Sequence, residues 1–345
     1  MRPLRPRTGS DPNPVPEGRG RARRRGLGAA GLARRSGAGH RRGPIPRRSH
    51  AMPRHATADD APGPLRLFVL SDLHLERRDP AAIPPPAEPF DVLVCAGDVW
   101  EGQPERGLAV LLGLAGERPA VLVPGNHEHY APAGDPRTAP ALLAALAAEV
   151  ERINAAAGRT RIALLRAGEA AVIAGVRFVG ATLWSDWALA GRWLAPDAPG
   201  RPADPAAYAA ARMTDPLTGS REFRAIRLAD GAAWTPAAAM EAHARDRALL
   251  AAALARPHAG PTVAVTHHPP IAEAADRYRD APGVPWWVPA FYATTVLADL
   301  APAHRPALWV SGHFHAGHDL ALYGTRCVAN PVEGGTFDPR TVVAV

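Results

Sequence analysis

The chain of 345 residues contains no lysine; each of its 40 basic residues is arginine. With 32 Gly, 38 Pro and abundant Ala, this reads as coding bias toward G+C-rich codons. The arginine content is therefore not evidence of a selected function. Cysteine is almost absent, at two residues, Cys95 and Cys327. Both sit in apolar, strand-like runs, which excludes a disulfide framework and points to buried thiols in a reducing, cytoplasmic setting. No run of about 18 apolar residues exists, so no membrane span is expected. No internal repeat is visible either.

Charge is present but unevenly placed. The formal net charge is +7, yet residues 1–50 hold 14 Arg against Asp11 and Glu17. The remainder holds 26 Arg against 31 acids, so the body of the chain is mildly acidic. The basic isoelectric point thus says little about what that body binds. Residues 1–60 are rich in Arg, Gly and Pro, lack periodicity, and are expected to be a disordered tail. Three readings fit them. An over-extended gene start, with Met52 as the true first residue, is the expectation. A flexible tail would bind nucleic acid or acidic lipid by charge alone. A targeting signal fits least, because the apolar stretch after Arg23-Arg24-Arg25 is short and is followed by Arg34-Arg35.

A folded body is expected from 64 to 345, with an insertion or cap at about 184–257. Residues 65–71, 91–96 and 120–123 read as buried strands rich in Leu, Val and Phe. Residues 105–114 and 138–157 read as helices, the second ending at Gly158. Residues 161–165, 169–174 and 176–183 read as strands, the last two joined by a tight turn at Ala174-Gly175. Trp184, Trp187, Trp193 and Trp234 are spread through the Ala/Pro/Arg-rich insertion and read as packing residues ahead of a base-stacking platform. A helix is expected from Thr235 (N-cap) and Pro236 to about Arg256. Then come a strand at 262–266, a helix at 291–300, and strands at 308–311, 318–323, 326–329 and 341–345. Alternating elements followed by clustered strands suggest mixed sheets with helices outside, around one core.

Five short motifs punctuate this pattern: Asp72-Leu73-His74, Gly97-Asp98, Gly125-Asn126-His127-Glu128, His267-His268-Pro269 and Gly312-His313-Phe314-His315. Each follows an apolar run that ends in a turn, where a parallel sheet presents side chains to a ligand. No single one is decisive: a lone Asp-x-His is mostly an ordinary loop and a lone Gly-Asn-His-Glu is a better sign, but the ordered set is the signal. Carboxylate, amide oxygen and imidazole donors suit Mn, Fe, Zn or Co better than metals that prefer thiolate. Two cations about 3.5–4 Å apart would make a nucleophile from water and stabilise charge on phosphate oxygens. Asp98, following Gly97 at a strand end, is the best carboxylate to bridge them. In an extended segment the i and i+2 side chains of Asp72-x-His74 and His313-x-His315 would point the same way. Glu128 stands next to His127 and would orient it or a ligand. His129, His268, His318 and Asp319 lie beside these motifs, and adjacency alone is weak evidence. His40, His50, His55, His243, His258 and His304 read as solvated or structural. Arg221, Arg224 and Arg227 would suit a substrate phosphate, and an exposed helix face explains them equally.

Residue for residue, the five motifs resemble those of the calcineurin-like metallophosphoesterases, over about residues 65–330. The stretch from Gly180 to Trp187 looks like one bacterial branch of that family. The resemblance implies a four-layer α/β/β/α sandwich with two mixed sheets and a dinuclear centre of two divalent or trivalent ions between them. The first ion would take Asp72, His74, Asp98 and His315, and the second Asp98, Asn126, His267 and His313. His127 would meet the phosphate, with Asn126, and assist the leaving group, while a metal-bridging hydroxide attacks phosphorus. No Cys replaces the first Asp, which disfavours the RNA lariat debranching branch. The expected substrate is a small phosphodiester or nucleotide-like molecule, with Arg224 and Arg227 as further contacts and no requirement for nucleic acid or membrane. A phosphomonoesterase, a nuclease, or a catalytically silent metal-binding module are the alternatives. Mass spectrometry of the native N-terminus is expected to find Met52 first; a peptide beginning upstream overturns that reading.

Overall fold

The fold was analysed in a computed structural model that describes residues 63–345 apart from Arg277, Asp280 and Pro282. The expected tail at 1–60, with its three histidines, lies outside the described residues. Among the described residues, eleven strands form two mixed sheets. The first sheet comprises β1 (Arg66–Leu70), β2 (Val92–Cys95), β3 (Ala120–Leu122), β4 (Ile162–Leu164) and β11 (Val342–Ala344), in the order β11-β1-β2-β3-β4. The second comprises β5 (Glu169–Ile173), β6 (Val176–Ala181), β7 (Thr262–Thr266), β8 (Leu308–Ser311), β9 (His318–Leu322) and β10 (Thr325–Ala329), in the order β5-β6-β7-β8-β10-β9.

Both faces of the central strands are buried, which explains their continuous apolar runs. Leu67, Val69, Val92, Val94 and Val121 face the second sheet and meet Phe178, Val263, Val265, Leu308 and Val310. The intervening Phe68, Leu70, Leu93, Cys95 and Leu122 face outward, under helices α1 (Pro104–Ala115) and α2 (Ala139–Ala157). On the far side, Val179, Ala264, Trp309 and Cys327 pack beneath the C-terminal half of α5 (Pro236–Ala255) through Leu250, Ala253 and Leu254. The result is the four-layer α/β/β/α sandwich. Instead of one core, the buried side chains form separate clusters, because each sheet's backbone divides its two apolar faces.

The parallel pairings β1–β2, β2–β3, β6–β7 and β7–β8 matter most for the site, since they bring the C-terminal ends of those strands to one side of each sheet. Ala174 and Gly175 both take positive φ, 48° and 81°, and turn β5 into β6 as expected. Gly158 caps α2 in the left-handed region.

The stretch at about 184–257, expected as an insertion, contains a 3-10 turn together with α3 (Pro205–Met213), the short α4 (Glu222–Ala225) and α5. The sequence reading did not foresee α3, whose N-cap Asp204 accepts the Ala207 amide. Trp184, Trp187 and Trp234 are buried in one cluster with Phe223, Ile226 and Phe291, and Trp193 packs partly buried nearby. The expected helix at 291–300 is instead two turns, α7 (Pro289–Tyr292) and α8 (Val296–Asp299), with α6 (Glu273–Asp276) before them. The break falls at Thr294, whose amide and hydroxyl both donate to the Pro269 carbonyl, at 3.1 and 3.2 Å. Those tertiary bonds outcompete the local helix. The N-cap of α5 is as expected: the Thr235 hydroxyl accepts the Ala238 amide at 3.1 Å. Thr235→Ala is expected to lower stability by about 1 kcal/mol in urea denaturation, while Thr235→Asp, which caps as well, stays near wild type.

Candidate metal centre

Five strand ends deliver the motif residues: β1 leads to Asp72 and His74, β2 to Asp98, β3 to Asn126 and His127, β7 to His267, and β8 to His313 and His315. Two glycines let these turns approach. Gly97 has φ of 90°, and a Cβ there would lie 2.5 Å from the Gly125 amide nitrogen. A Cβ on Gly125 would collide with the Asp98 carboxylate. Asp72, His74, Asp98, His313 and His315 also take positive φ, between 46° and 68°. The Asp-x-His and His-x-His pairs are thus not extended; they converge because alternate residues sit in the left-handed region. That region costs a non-glycine residue about 1 kcal/mol or more.

Among the described residues three groups of donor atoms converge, and two of them share one carboxylate: Asp72, His74, Asp98 and His315, and Asp98, His267 and His313; the third is His74, Glu76 and His127. Asp98 Oδ1 accepts the His127 amide at 2.9 Å. Its Oδ2 then faces His267 Nε2 at 3.3 Å and His74 Nε2 at 3.6 Å. In the first group, His74 Nε2 lies 2.9 Å from His315 Nε2, and His315 Nε2 lies 3.4 Å from Asp72 Oδ1. In the second, Asn126 Oδ1 lies 2.8 Å from His267 Nε2 and 3.1 Å from His313 Nδ1. The Asn126 amide is oriented by donating from Nδ2 to Tyr130 Oη at 2.8 Å.

This donor set fits cations. His267 Nδ1 lies 2.7 Å from the Ala96 carbonyl, which only accepts, so Nδ1 donates there and Nε2, whose lone pair a cation would take in place of a proton, is the nitrogen turned to Asn126 Oδ1 and Asp98. His74 is arranged likewise, with Nδ1 held 3.1 Å from Glu76 Oε1. Acceptors and lone pairs therefore converge in both groups, in a pocket shielded from water. The site asks for positive charge: burial opposes it on His267, yet Asp98 and Asp72 lift that imidazole to about 9. Burial likewise opposes ionisation of Asp98, but the surrounding histidines hold its carboxyl well below the usual range.

His127 lies beside both groups. Its ring stacks on Tyr130 at 4.4 Å and meets His74 edge-on at 4.3 Å. Nδ1 faces Glu101 Oε1 at 2.9 Å and Glu76 Oε1 at 3.2 Å, and Nε2 lies 3.9 Å from Asp98 Oδ2. Burial opposes its charge, but Asp98, Glu101 and Glu76 hold the imidazolium well above the ordinary histidine range. Glu128 points away from this ring. Its carboxylate accepts the amides of Asp98, Val99, Trp100 and Gly125 at 2.6–3.3 Å, clamping the two glycine turns together. Burial and the Asp98 charge push it up to about 6.

Arg224 and Arg227 are not brought to the cluster. Arg224 donates to the Pro216 and Gly219 carbonyls, and Arg227 to that of Asp135. His268 is buried against His313, with ring centroids 4.0 Å apart, and its Nδ1 lies 3.3 Å from the Thr182 carbonyl. His129 Nδ1 meets the Gly125 carbonyl at 2.9 Å. Asp319 pairs with Arg326 on the edge strand β9, and His318 is on the same strand. Sequence reasoning missed Glu76, Glu101, Tyr130 and the placement of Arg221. Glu76 carried a signal, since it continues the Asp72-x-His74 alternation; Glu101, three residues beyond Asp98, did not.

Two mixed sheets with a buried histidine–aspartate cluster at their strand ends define an α/β protein of the metallophosphoesterase fold. The family model of the calcineurin-like phosphoesterases matches residues 65–192 of this chain. Among solved structures, a phosphopantetheinyl hydrolase from Mycobacterium tuberculosis is 21% identical over 79% of this chain and 90% of its own, with a TM-score of 0.56. That likeness shows the fold. A candidate 5'-nucleotidase from Staphylococcus aureus, solved with alpha-ketoglutarate, is 11% identical over 77% of this chain and 48% of its own, at a TM-score of 0.38. No curated protein matches the chain.

Gly125→Ala is expected to displace the Asp98 carboxylate, weakening metal binding roughly 10- to 100-fold and costing about 1–3 kcal/mol. Gly113→Ala, at a helical position with open space, should instead be neutral or slightly stabilising. Metal titration and thermal melting of the two variants check both.

Proposed function

We propose that the protein is a dinuclear metal-dependent phosphoesterase acting on a small phosphodiester or nucleotide-like substrate. The observation that carries this reading is the sharing of Asp98 between two converging donor groups, with His127 beside them. Asp72, His74, Asp98 and His315 would hold one ion, and Asp98, Asn126, His267 and His313 the other. Bound there, two ions of the Mn, Fe, Zn or Co type would supply a nucleophile from water at neutral pH and offset charge on the phosphoryl oxygens.

The chain's own residues do the rest. His127 meets the phosphate and carries a proton to the leaving alcohol. With Nδ1 turned to the Glu101 and Glu76 carboxylates, Nε2 is the atom that delivers it. Asn126, fixed by Tyr130, presents its carbonyl oxygen toward the centre. The hydrolase from Mycobacterium tuberculosis is named for a phosphopantetheinyl group, which makes such a phosphoester the first specific substrate to try. The two buried thiols, Cys95 and Cys327, support a reducing, cytoplasmic setting. The insertion at about 184–257 is the segment that would select the substrate.

The test compares Mn²⁺-reconstituted protein on bis(p-nitrophenyl) phosphate and p-nitrophenyl phosphate. Metal-dependent turnover is expected, faster on the diester. Asp98→Asn should lose metal and activity. His127→Ala should keep two ions per chain and lose about 10²- to 10⁴-fold in kcat on diphenyl phosphate, whose phenolate needs the proton, and less on the nitrophenyl esters. Two bound ions without turnover of any phosphoester would favour the silent metal-binding module. Unchanged turnover of diphenyl phosphate in His127→Ala would remove that residue from the mechanism.

A further inference from the structure

The nitrogen Nδ1 of His127 faces two carboxylates, Glu101 Oε1 at 2.9 Å and Glu76 Oε1 at 3.2 Å. Neither contact has hydrogen-bond geometry for the ring as it stands, so the two carboxylates compete for an N–H that points in one in-plane direction. Their consequences differ. Glu76 Oε1 is also 3.1 Å from His74 Nδ1, so a ring held by Glu76 would be tied to a metal-ligand candidate. Glu101 has no such tie. It is gripped instead by Arg221: Nη2 donates to Oε2 at 2.8 Å, and Nη1 to Oε1, the oxygen that faces His127. The two-armed contact fixes the plane of the carboxylate, which a single contact would leave free to rotate.

Arg221 touches the other support of His127 as well. Its guanidinium carbon lies 5.3 Å from the centre of the Tyr130 ring, which also stacks with the His127 ring at 4.4 Å. Glu101 is only 5% exposed, so its charge is retained there by partners and not by water. Of the three arginines at 221, 224 and 227, Arg221 is the one that engages a carboxylate; the other two bind backbone carbonyls. It enters from the insertion, at the N-cap of α4.

We infer that Arg221 is a positioning residue: it fixes Glu101, in preference to Glu76, as the carboxylate that orients His127. This rests on the phosphoesterase reading above, and it makes the insertion a working part of the centre. A phosphate-gripping arginine would act on substrate affinity. A positioning arginine acts on proton delivery, so its loss weighs most on substrates whose leaving group needs a proton.

The experiment measures kcat and KM of Mn²⁺-loaded wild type, Arg221→Ala and Arg221→Lys on bis(p-nitrophenyl) phosphate and on diphenyl phosphate, whose phenolate is the poorer leaving group. The expected result is a kcat loss of about tenfold or more on diphenyl phosphate in Arg221→Ala. The loss on the nitrophenyl ester is smaller, KM stays close to wild type, and metal content is unchanged. Arg221→Lys recovers part of the loss; if the alanine variant does not fold, the lysine variant is read on the same ratio of the two substrates. Equal loss on both esters, or a raised KM with kcat intact, overturns the inference. Wild-type inactivity on both esters overturns the phosphoesterase reading and this inference with it. Wild-type turnover with an unchanged substrate ratio in the variants overturns this inference alone.

Discussion

One hydrogen bond, from the His127 amide to Asp98 Oδ1, joins the turn after β3 to the turn after β2. Much of the centre follows from it. With Oδ1 engaged, Oδ2 is the oxygen left to face His74 and His267, one from each donor group. The bond requires the two backbones to touch at Gly97 and Gly125, where no side chain fits. It also requires the turns to keep their spacing, and the Glu128 carboxylate holds four of their amides for that purpose. A buried carboxylate with four amide donors is well satisfied even though burial and Asp98 disfavour its charge.

Such a centre opposes folding in two ways. Five of its residues occupy the left-handed region, and several ionisable groups are buried close together. Both costs are met by the layers around them. The strands that carry the motifs are buried on both faces, so each turn starts from a backbone that cannot shift without opening an apolar cluster. Strain is tolerated at the strand ends because the strands themselves are over-determined.

The insertion is tied into the same scheme. The turn after β6 places Leu183 and Trp184 at positive φ of 72° and 41°. Helix α5 holds that turn: Asp246 accepts the Leu183 amide at 3.1 Å, and His243 Nδ1 lies 2.8 Å from the Leu183 carbonyl. Trp184 then packs against His129, His268 and Trp234. These are packing contacts, in keeping with the reading of the insertion's tryptophans. Together with Arg221 on Glu101, they connect the insertion to the motif turns by side chains, not only by chain continuity.

Local pattern alone was enough for the strands before each motif, for the α5 start at Thr235-Pro236, and for the types and order of the donor residues. Those features depend on alternation, capping and turn chemistry, which neighbours in sequence supply. It failed where distant segments decide. The helix expected at 291–300 broke because Thr294 binds the Pro269 carbonyl. The i and i+2 pairs converge through left-handed turns, a conformation imposed by contacts across the sheets. Arg221, Arg224 and Arg227 were equivalent as sequence, and only the fold set one of them against Glu101, 120 residues away, and the others on carbonyls. The sequence by itself determined which donors stand at the strand ends. The tertiary structure decided which of them share a carboxylate and which group orients His127, because those choices are made by side chains meeting across two sheets and an insertion.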